Sequence, residues 1–229
     1  MQQTSALYQS LITDTATYKE FRVVIAGVTY GQEQIITLST AANLMPEDTL
    51  SFGGAVAMEI NLSILNPGQI PQMAEMVPSY RLVRGNQTSE WIQKGVFYID
   101  TRITDELTGV LTIHGYDAML RAEQEWMPDQ SLTFPMTMAA AAQEIARLIG
   151  VTIDPRSILS TVYTVGYPAN GYTLRDVLRF IAVAHVGNWY MTDIGQLRLY
   201  RARDLPPETN YLVTQHGSAI TFGGVRILV

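Results

Sequence analysis

The sequence predicts an α+β fold that is mainly β, with an antiparallel domain of barrel or sandwich type and a smaller α+β domain carrying two amphipathic helices. Short apolar or alternating runs, separated by Gly, Pro, Asn and Asp clusters, fill the first half of the chain. A helical period replaces this pattern after Asp117. Apolar residues make up 47% of the 229 residues and charged residues only 16%, which excludes a disordered or coiled-coil chain.

The first half of the chain predicts one short helix followed by strands. Residues 5–12 fit a helix with its leucines on one side. The hairpin that ends near Tyr116 has the clearest strand signal, because Leu111 and Ile113 alternate with polar residues. The six strands are predicted at 20–28, 33–39, 55–65, 79–85, 89–102 and 109–116.

The first amphipathic helix is predicted after a helical segment at 117–127. Pro135 precedes a run over 136–149 in which apolar residues recur at helical spacing. Gly150 is a natural end for this helix because glycine readily adopts the left-handed conformation.

The second amphipathic helix is predicted over 174–186. Thr173 and Asp176 have the spacing of a capping box at its start. A hairpin follows directly, with strands at 188–192 and 196–200. Two helices packed on a small sheet form an α+β unit.

Strands return near the end of the chain, after Pro206 and Pro207. This pattern predicts a helix-bearing domain inserted into a β domain. The last strands are predicted at 210–214, 218–222 and 225–229. The resulting division is a β domain at 1–116 plus about 205–229, and an inserted α+β domain at 117–204.

Charge and composition narrow the possible functions. The chain has 15 basic and 21 acidic residues, and the net charge of −6 disfavours a strongly basic nucleic-acid-binding surface. Lys19 and Lys94 are the only lysines, and the arginines that supply the other cations suit pairing across interfaces. The absence of cysteine excludes disulfides and thiol chemistry. We expect no secretion signal and no membrane span.

Titratable residues do not form a recognisable catalytic motif. Asp100, Asp105, Glu106 and His114 share one hairpin, and we interpret them as a solvated turn rather than an acid–base cluster. No nucleophile elbow, zinc motif, phosphate loop or dinucleotide fingerprint is present. We therefore predict a protein that is not an enzyme, without a metal site or cofactor.

Other isolated titratable residues also fit structural roles. Glu123 and Glu125, with Asp129 nearby, are interpreted as a polar helix face rather than a glycosidase pair. His185 lies at the end of the second helix, eight residues before Asp193, where a histidine stabilises a helix terminus.

Aromatic residues are frequent where the strand-rich half passes into the helical half, from Trp91 to Trp126. Such residues serve either core packing or protein–protein contacts, where Trp and Tyr are enriched. The candidate interface residues are Trp91, Phe97, Tyr98 and Trp189.

Six segments together resemble the N-terminal part of phage tail hub proteins, the central proteins of tail tips and baseplates. The resemblance covers roughly residues 50–229. The segments are WIQKGVFYID at 91–100, LTIHGYDAML at 111–120, GYTLRDVLRFIA at 171–182, GNWYM at 187–191, GQLRL at 195–199 and ITFGGV at 220–225.

This resemblance implies a homotrimer whose tube-like β-barrel domains follow the tail tube in pseudo-sixfold fashion. It implies contacts with the distal tail protein ring or tail tube, the tape-measure protein, and fibre or spike proteins. Such a hub assembles in the host cytoplasm and closes the tube at the tail tip or baseplate of the virion until DNA is ejected. The net negative charge fits passage of DNA without specific binding.

Three alternatives remain at the level of the sequence. The same fold serves as the hub of a contractile bacteriocin or injection particle. A tail-associated peptidoglycan hydrolase fragment would need a convincing carboxylate pair or Cys–His arrangement. A carbohydrate- or receptor-binding β module would expose its tryptophans. Many hubs are longer, so the chain is expected to be a minimal hub or a fragment.

Overall fold

A computed structural model describes residues 4–44, 51–65, 67–129, 132–168 and 170–204, together with the backbone of 221–222 and 225–226. Its largest element is an antiparallel sheet of nine strands. These strands are β1 (Tyr18–Ile25), β2 (Val28–Tyr30), β3 (Ile35–Ala41), β4 (Glu59–Leu65), β5 (Glu75–Arg84), β6 (Gln87–Thr88), β7 (Ile92–Gln93), β8 (Phe97–Asp105) and β9 (Val110–Asp117).

The strands pair in the order β2-β1-β5-β8-β9-β4-β3, and β6 and β7 pair with β5. The predicted antiparallel, mainly β character is therefore confirmed. Within the described ranges this path ends at β2 on one side and β3 on the other, and no pairing joins the two ends into a closed barrel.

Alternating burial fixes the register at the centre of the sheet. On β4, Ile60, Leu62 and Ile64 are buried, while the residues between them are more exposed. Leu62 lies opposite Ile113 of β9, and Ile64 lies opposite Leu111. A shift of one residue would turn all these side chains toward the other face, so burial strongly specifies this register.

The single strand predicted at 89–102 is instead divided into β7 and β8. Gly95 separates them with a φ of +132°, and a Cβ at this position would lie 2.4 Å from the Phe97 ring. Glycine permits this turn, after which the start of β8 pairs with the start of β5 and the whole of β8 pairs along β9. Sequence alternation alone does not show such a break.

Three of the four predicted helices are present as α-helices with small differences in length. The segment predicted to be helical at 117–127 forms only a short 3-10 helix, Ala118–Glu123. The α-helices are α1 (Ala6–Ile12), α2 (Met138–Ile149) and α3 (Leu174–Ala184). The remaining elements are β10 (Met136–Thr137), β11 (Thr164–Val165), β12 (Gly187–Met191), β13 (Leu197–Arg201), a 3-10 turn (Ala202–Asp204), β14 (Thr221–Phe222) and β15 (Val225–Arg226).

The helix ends follow the sequence signals. Gly150 ends α2 in the left-handed conformation, with φ at +78°. The capping box of α3 is confirmed: the Thr173 hydroxyl accepts the Asp176 N–H at 3.1 Å, and the Asp176 carboxylate accepts the Thr173 N–H at 3.1 Å.

The main hydrophobic core runs without interruption from the sheet to the helices. It includes Val23 of β1, Ile145 of α2, Leu178 of α3 and Leu199 of β13. The core therefore continues across residue 117, where β9 ends and the 3-10 helix begins. A separate small cluster holds α1 against β5 and β7 through Leu11, Leu82 and Ile92, among others.

Of the strands predicted near the end of the chain, β14 and β15 form an antiparallel pair. The strand predicted at 210–214 and the remainder of those at 218–222 and 225–229 lie outside the described residues. Among the described residues, no helix has the length and apolar character needed to cross a membrane.

Candidate interface and binding cleft

The sheet and the helical unit are joined by residues 51–56, which run beside β12 and are buried at 53–55. The Gly53 N–H donates to the Gly187 carbonyl at 2.8 Å, and the Trp189 N–H donates to the Gly54 carbonyl at 2.8 Å. The Val56 N–H then donates to the Trp189 carbonyl at 2.9 Å. Main-chain hydrogen bonds therefore fix the hairpin of β12 and β13 to the chain that enters β4.

Asn188 reinforces this joint with its side chain, which is 3% exposed. Its Oδ1 accepts the Gly54 N–H at 2.7 Å, and its Nδ2 donates to the Ser51 carbonyl at 2.8 Å. The preceding Gly187 is equally constrained, because a Cβ there would lie 2.5 Å from the Tyr200 carbonyl oxygen. The Gly-Asn-Trp segment that contributes to the family resemblance thus builds the joint.

Asp117 forms a second part of the joint at the end of β9. Its Oδ2 accepts the Met58 N–H at 2.8 Å, and its Oδ1 accepts the Met119 N–H at 2.9 Å. Burial raises the pKa of Asp117 to about 6, against the opposing effects of these two hydrogen bonds and of the Arg175 charge. One carboxylate therefore connects the chain before β4 to the 3-10 helix after β9.

The predicted interface residues do not form a common surface. Phe97 and Trp189 are fully buried, and Tyr98 is nearly so, beneath the Arg121 guanidinium at 3.9 Å from its ring centre. These three residues pack inside the chain, which corrects their assignment as contact residues. Among the four candidates, Trp91 alone is partly exposed.

Trp91 contacts two arginines from neighbouring strands of the sheet, Arg22 of β1 and Arg81 of β5. The Arg22 guanidinium is 4.2 Å from the ring centre and that of Arg81 is 4.6 Å away. Arg81 also forms an ion pair with Glu20 at 2.6 Å. The indole is therefore held by cation–π contacts while remaining partly exposed.

The carboxylates of the β8–β9 hairpin have structural contacts or face solvent. Asp105 Oδ1 accepts the Leu107 N–H at 2.9 Å within the turn, and hydrogen bonds from the Thr108 side chain and the Leu107 backbone lower the pKa of Asp105. His114 Nε2 lies 3.7 Å from a carboxylate oxygen of Glu59 on the neighbouring β4. Asp100 and Glu106 are exposed. This geometry agrees with a solvated hairpin.

Other candidate titratable residues also stabilise local structure. Glu123 forms an ion pair with Arg175, and Glu125 Oε1 accepts the Gly171 N–H at 3.0 Å. His185 Nδ1 lies 2.7 Å from the Ile181 carbonyl oxygen, and its Nε2 accepts the Ser160 N–H at 2.9 Å. Both ring nitrogens of His185 are thus engaged at the end of α3.

A cleft of about 630 Å³ opens beside the joint, between the end of β3 and the β12–β13 hairpin. Such a volume accommodates a few side chains of a bound peptide or a small ligand. The cleft combines apolar, aromatic and cationic groups. Its lining residues are Ala42, Asn43, Leu44, Met58, Arg156, Tyr190, Met191, Thr192, Asp193, Ile194, Arg198 and Tyr200.

The two arginines of this cleft differ in their partners. Arg156 is held by the buried Asp154 through its Nε and one terminal nitrogen, which lowers the pKa of that carboxyl. Arg198 has no ion pair within the described part of the chain, and its Nε is buried without a hydrogen-bond partner. Its guanidinium lies 5.3 Å from the ring centre of Tyr200 and 6.0 Å from that of Tyr190.

The amino-acid sequence carries a signal for one wall of this cleft. Tyr190 and Arg198 are direct partners in the β12–β13 register, and Tyr200 lies two residues beyond Arg198 on the same face. An arginine flanked by two tyrosines on a short hairpin could therefore be found from the hairpin prediction alone. The opposite wall could not, because Leu44 and Met58 are distant in sequence.

The described residues contain no candidate metal site, because no three His, Asp or Glu side chains among them are grouped closely enough to hold an ion. The cleft arginines are unsuited to cation binding but well suited to binding an anion.

The overall fold resembles solved phage tail proteins. The 43 kDa tail protein of prophage MuSo2 from Shewanella oneidensis aligns with 80% of this chain, at 14% identity and a TM-score of 0.53. A tail protein from Neisseria meningitidis MC58 aligns with 85% of this chain, at 15% identity and a TM-score of 0.52. These values show a shared fold with two phage tail proteins.

The chain corresponds to about half of each solved structure, 53% of the first and 54% of the second. No protein-family model matches the sequence, and no curated protein matches it.

Proposed function

We propose that this protein is a structural component of a phage tail, the hub that closes the end of the tail tube at the tip or baseplate of the virion. The observation that carries the proposal is the shared fold with two phage tail proteins. The family-like segments add support, because Asp117 and Asn188 within them build the joint between sheet and helical unit.

In this proposal, the tube-like domain is formed by 1–116 with about 205–229, and 117–204 is the inserted domain. Three copies assemble around the tail axis, since hubs of this kind act as trimeric adaptors. The distal tail ring or tube, the tape-measure protein, and fibre or spike proteins bind to the assembly. Binding energy comes from patches buried between subunits rather than from chemistry on a substrate.

The hub acts by assembly and gated passage rather than by catalysis. The titratable residues of the β8–β9 hairpin fit this proposal, since Asp105 stabilises a turn and His114 lies beside Glu59. The net charge of −6 favours DNA that passes without adhering, because phosphate binding depends on Lys and Arg clusters. No cofactor is required.

Gold labelling tests the position of the protein in a particle. An antibody against this chain is applied to particles sedimented from the source culture and viewed by electron microscopy. The proposal predicts label confined to one end of the tail. Preimmune serum and a competing excess of purified protein serve as controls, and both should remove the label.

The labelled particles also separate the two hub alternatives. Label on tails that carry heads supports a virion hub, whereas label on headless contractile particles supports a bacteriocin or injection machine. Absence of label on every particle, with the epitope shown to be accessible, would contradict both. Sedimentation equilibrium of the purified chain tests the trimer, for which three times the mass of 25.4 kDa is expected.

A further inference from the structure

The cleft beside the β12–β13 hairpin has the chemistry of a binding site for a protein segment. One wall carries the cation Arg198 between Tyr190 and Tyr200. Leu44 and Ile194 contribute apolar surface to the same cleft. A cationic group beside apolar surface is complementary to a peptide in which an acidic side chain is followed by an apolar one.

Among the described residues, Arg198 is the cation of the cleft that forms no ion pair. Arg156 is neutralised by Asp154, and Asp193 lies 3.5 Å from the Lys94 amine. Asp154 and Asp204 interact electrostatically with Arg198 without forming an ion pair with it. Asp154 is hydrogen-bonded to Arg156 instead, and Asp204 to Arg201. Arg198 contacts the Tyr190 hydroxyl, which is a neutral partner.

A carboxylate is the natural partner for such a group. Guanidinium–carboxylate hydrogen bonds are stronger than those between neutral groups, and the planar guanidinium can form two of them in parallel. The Arg156 side chain adds a second donor, because its bonds to Asp154 use Nε and Nη2 and leave Nη1 for another acceptor. The cleft contains two arginines, although the chain as a whole is acidic, with a net charge of −6.

We propose that this cleft is the docking site for an extended segment of a partner protein that inserts an Asp or Glu side chain against Arg198, next to an apolar residue. The apolar walls favour a peptide over the phosphates of DNA, which need several exposed cations. This proposal stands on the chemistry of the cleft and goes beyond the tail function.

Selection from a library of random short peptides tests the proposal directly, because it requires no identified partner. The purified chain and its Arg198→Gln variant are used as separate baits. We expect peptides selected on the wild type to be enriched in Asp or Glu beside apolar residues, and the enrichment to vanish on the variant. Equal enrichment on both baits, or none on the wild type, would overturn the proposal.

Binding of one selected peptide then measures the role of the charge. Replacing its acidic residue by the matching amide should weaken binding by about tenfold or more, as expected for loss of a charge-assisted hydrogen bond. In the protein, Arg198→Lys should fall between wild type and Arg198→Gln, because lysine retains the charge without the planar fork. A short DNA duplex that displaces the peptide and binds through Arg198 with comparable affinity would favour a phosphate site and overturn the assignment.

Two further variants distinguish a loss of binding at the cleft from a loss of folding. Ile194 is exposed in the turn between β12 and β13, so Ile194→Glu places a competing carboxylate at the cleft with little effect on the core. This variant should weaken peptide binding. Arg179→Gln, on the exposed side of α3, is the matched control and should bind as the wild type does. Unchanged binding by Ile194→Glu would contradict the location of the site.

Discussion

The carboxylate of Asp117 accepts the backbone N–H of Met58 at 2.8 Å, linking the end of β9 to the chain that enters β4. The two residues are 59 positions apart, so this hydrogen bond ties together distant parts of the sequence. The other oxygen of Asp117 accepts the Met119 N–H and starts the 3-10 helix. One side chain therefore holds the transition from sheet to helical unit.

The first prediction concerns the pH dependence of stability. Burial raises the pKa of Asp117 from its ordinary value of 3.8 to about 6, so the folded state binds more protons than the unfolded state between these values. Its contribution to the free energy of unfolding should therefore fall as pH rises from about 4 to about 6, by up to about 3 kcal/mol, and stay level above that. Asp117→Asn should remove this fall, as measured by urea unfolding across that range.

Asp105→Asn provides the control for this experiment. Hydrogen bonds within the turn lower the pKa of Asp105, so its ionised form is favoured in the folded state. Its own contribution grows as pH rises, and removing it should change the pH profile in the opposite direction. An Asp117→Asn profile parallel to that of the wild type would contradict the buried, proton-binding role.

The second prediction concerns the Asn188 joint. Asn188→Ala removes two buried hydrogen bonds and leaves the Gly54 N–H and the Ser51 carbonyl without these partners. We expect a loss of about 2–4 kcal/mol in the free energy of unfolding. Gln196→Ala, whose side-chain amide makes an exposed 3.3 Å contact with Thr152, should cost less than about 0.5 kcal/mol. Equal effects in the two variants would argue against the joint.

The third prediction concerns the close approach of strands at Gly115. An added Cβ would lie 2.4 Å from the Tyr98 carbonyl oxygen and 2.8 Å from the Met76 side chain. Gly115→Ala should destabilise the protein by about 1–3 kcal/mol or more, because backbone must move. Gly166→Ala meets no atom within 4 Å, so it should be neutral or slightly stabilising. Thermal unfolding of both variants checks this, and tolerance of Ala at 115 would refute the strand contact.

The fourth prediction concerns tryptophan exposure. Trp126 is 1% exposed and Trp189 is fully buried, whereas Trp91 is partly exposed. A small polar quencher should therefore act on a single tryptophan component, and Trp91→Phe should abolish it. Trp126→Phe is the comparison and should leave the quenchable component intact. Quenching that persists in Trp91→Phe would show that a second indole is accessible, as a carbohydrate-binding module requires.

The fifth prediction concerns the capping box of α3. Thr173→Ala removes the hydroxyl that accepts the Asp176 N–H and should cost about 1 kcal/mol. Thr101→Ala, at an exposed position of β8, is a suitable control and should change the free energy of unfolding by less than about 0.5 kcal/mol. Equilibrium urea unfolding measures both, and a negligible effect at Thr173 would mean that packing alone holds the helix end.

Structural features that depend on residues close together in the sequence could be predicted from the sequence alone. The Thr173–Asp176 capping box, the glycine that ends α2 and the alternation on β9 depend on neighbours within a few residues, and the structure has all three. Features that depend on distant partners required the folded chain. Phe97 and Trp189 are buried in the core, and Asp117 is hydrogen-bonded to Met58. Leu44 lines the same cleft as Arg198. Burial and hydrogen bonds between segments that are distant in sequence form only when the chain packs. The spacing of residues along the sequence therefore does not predict them.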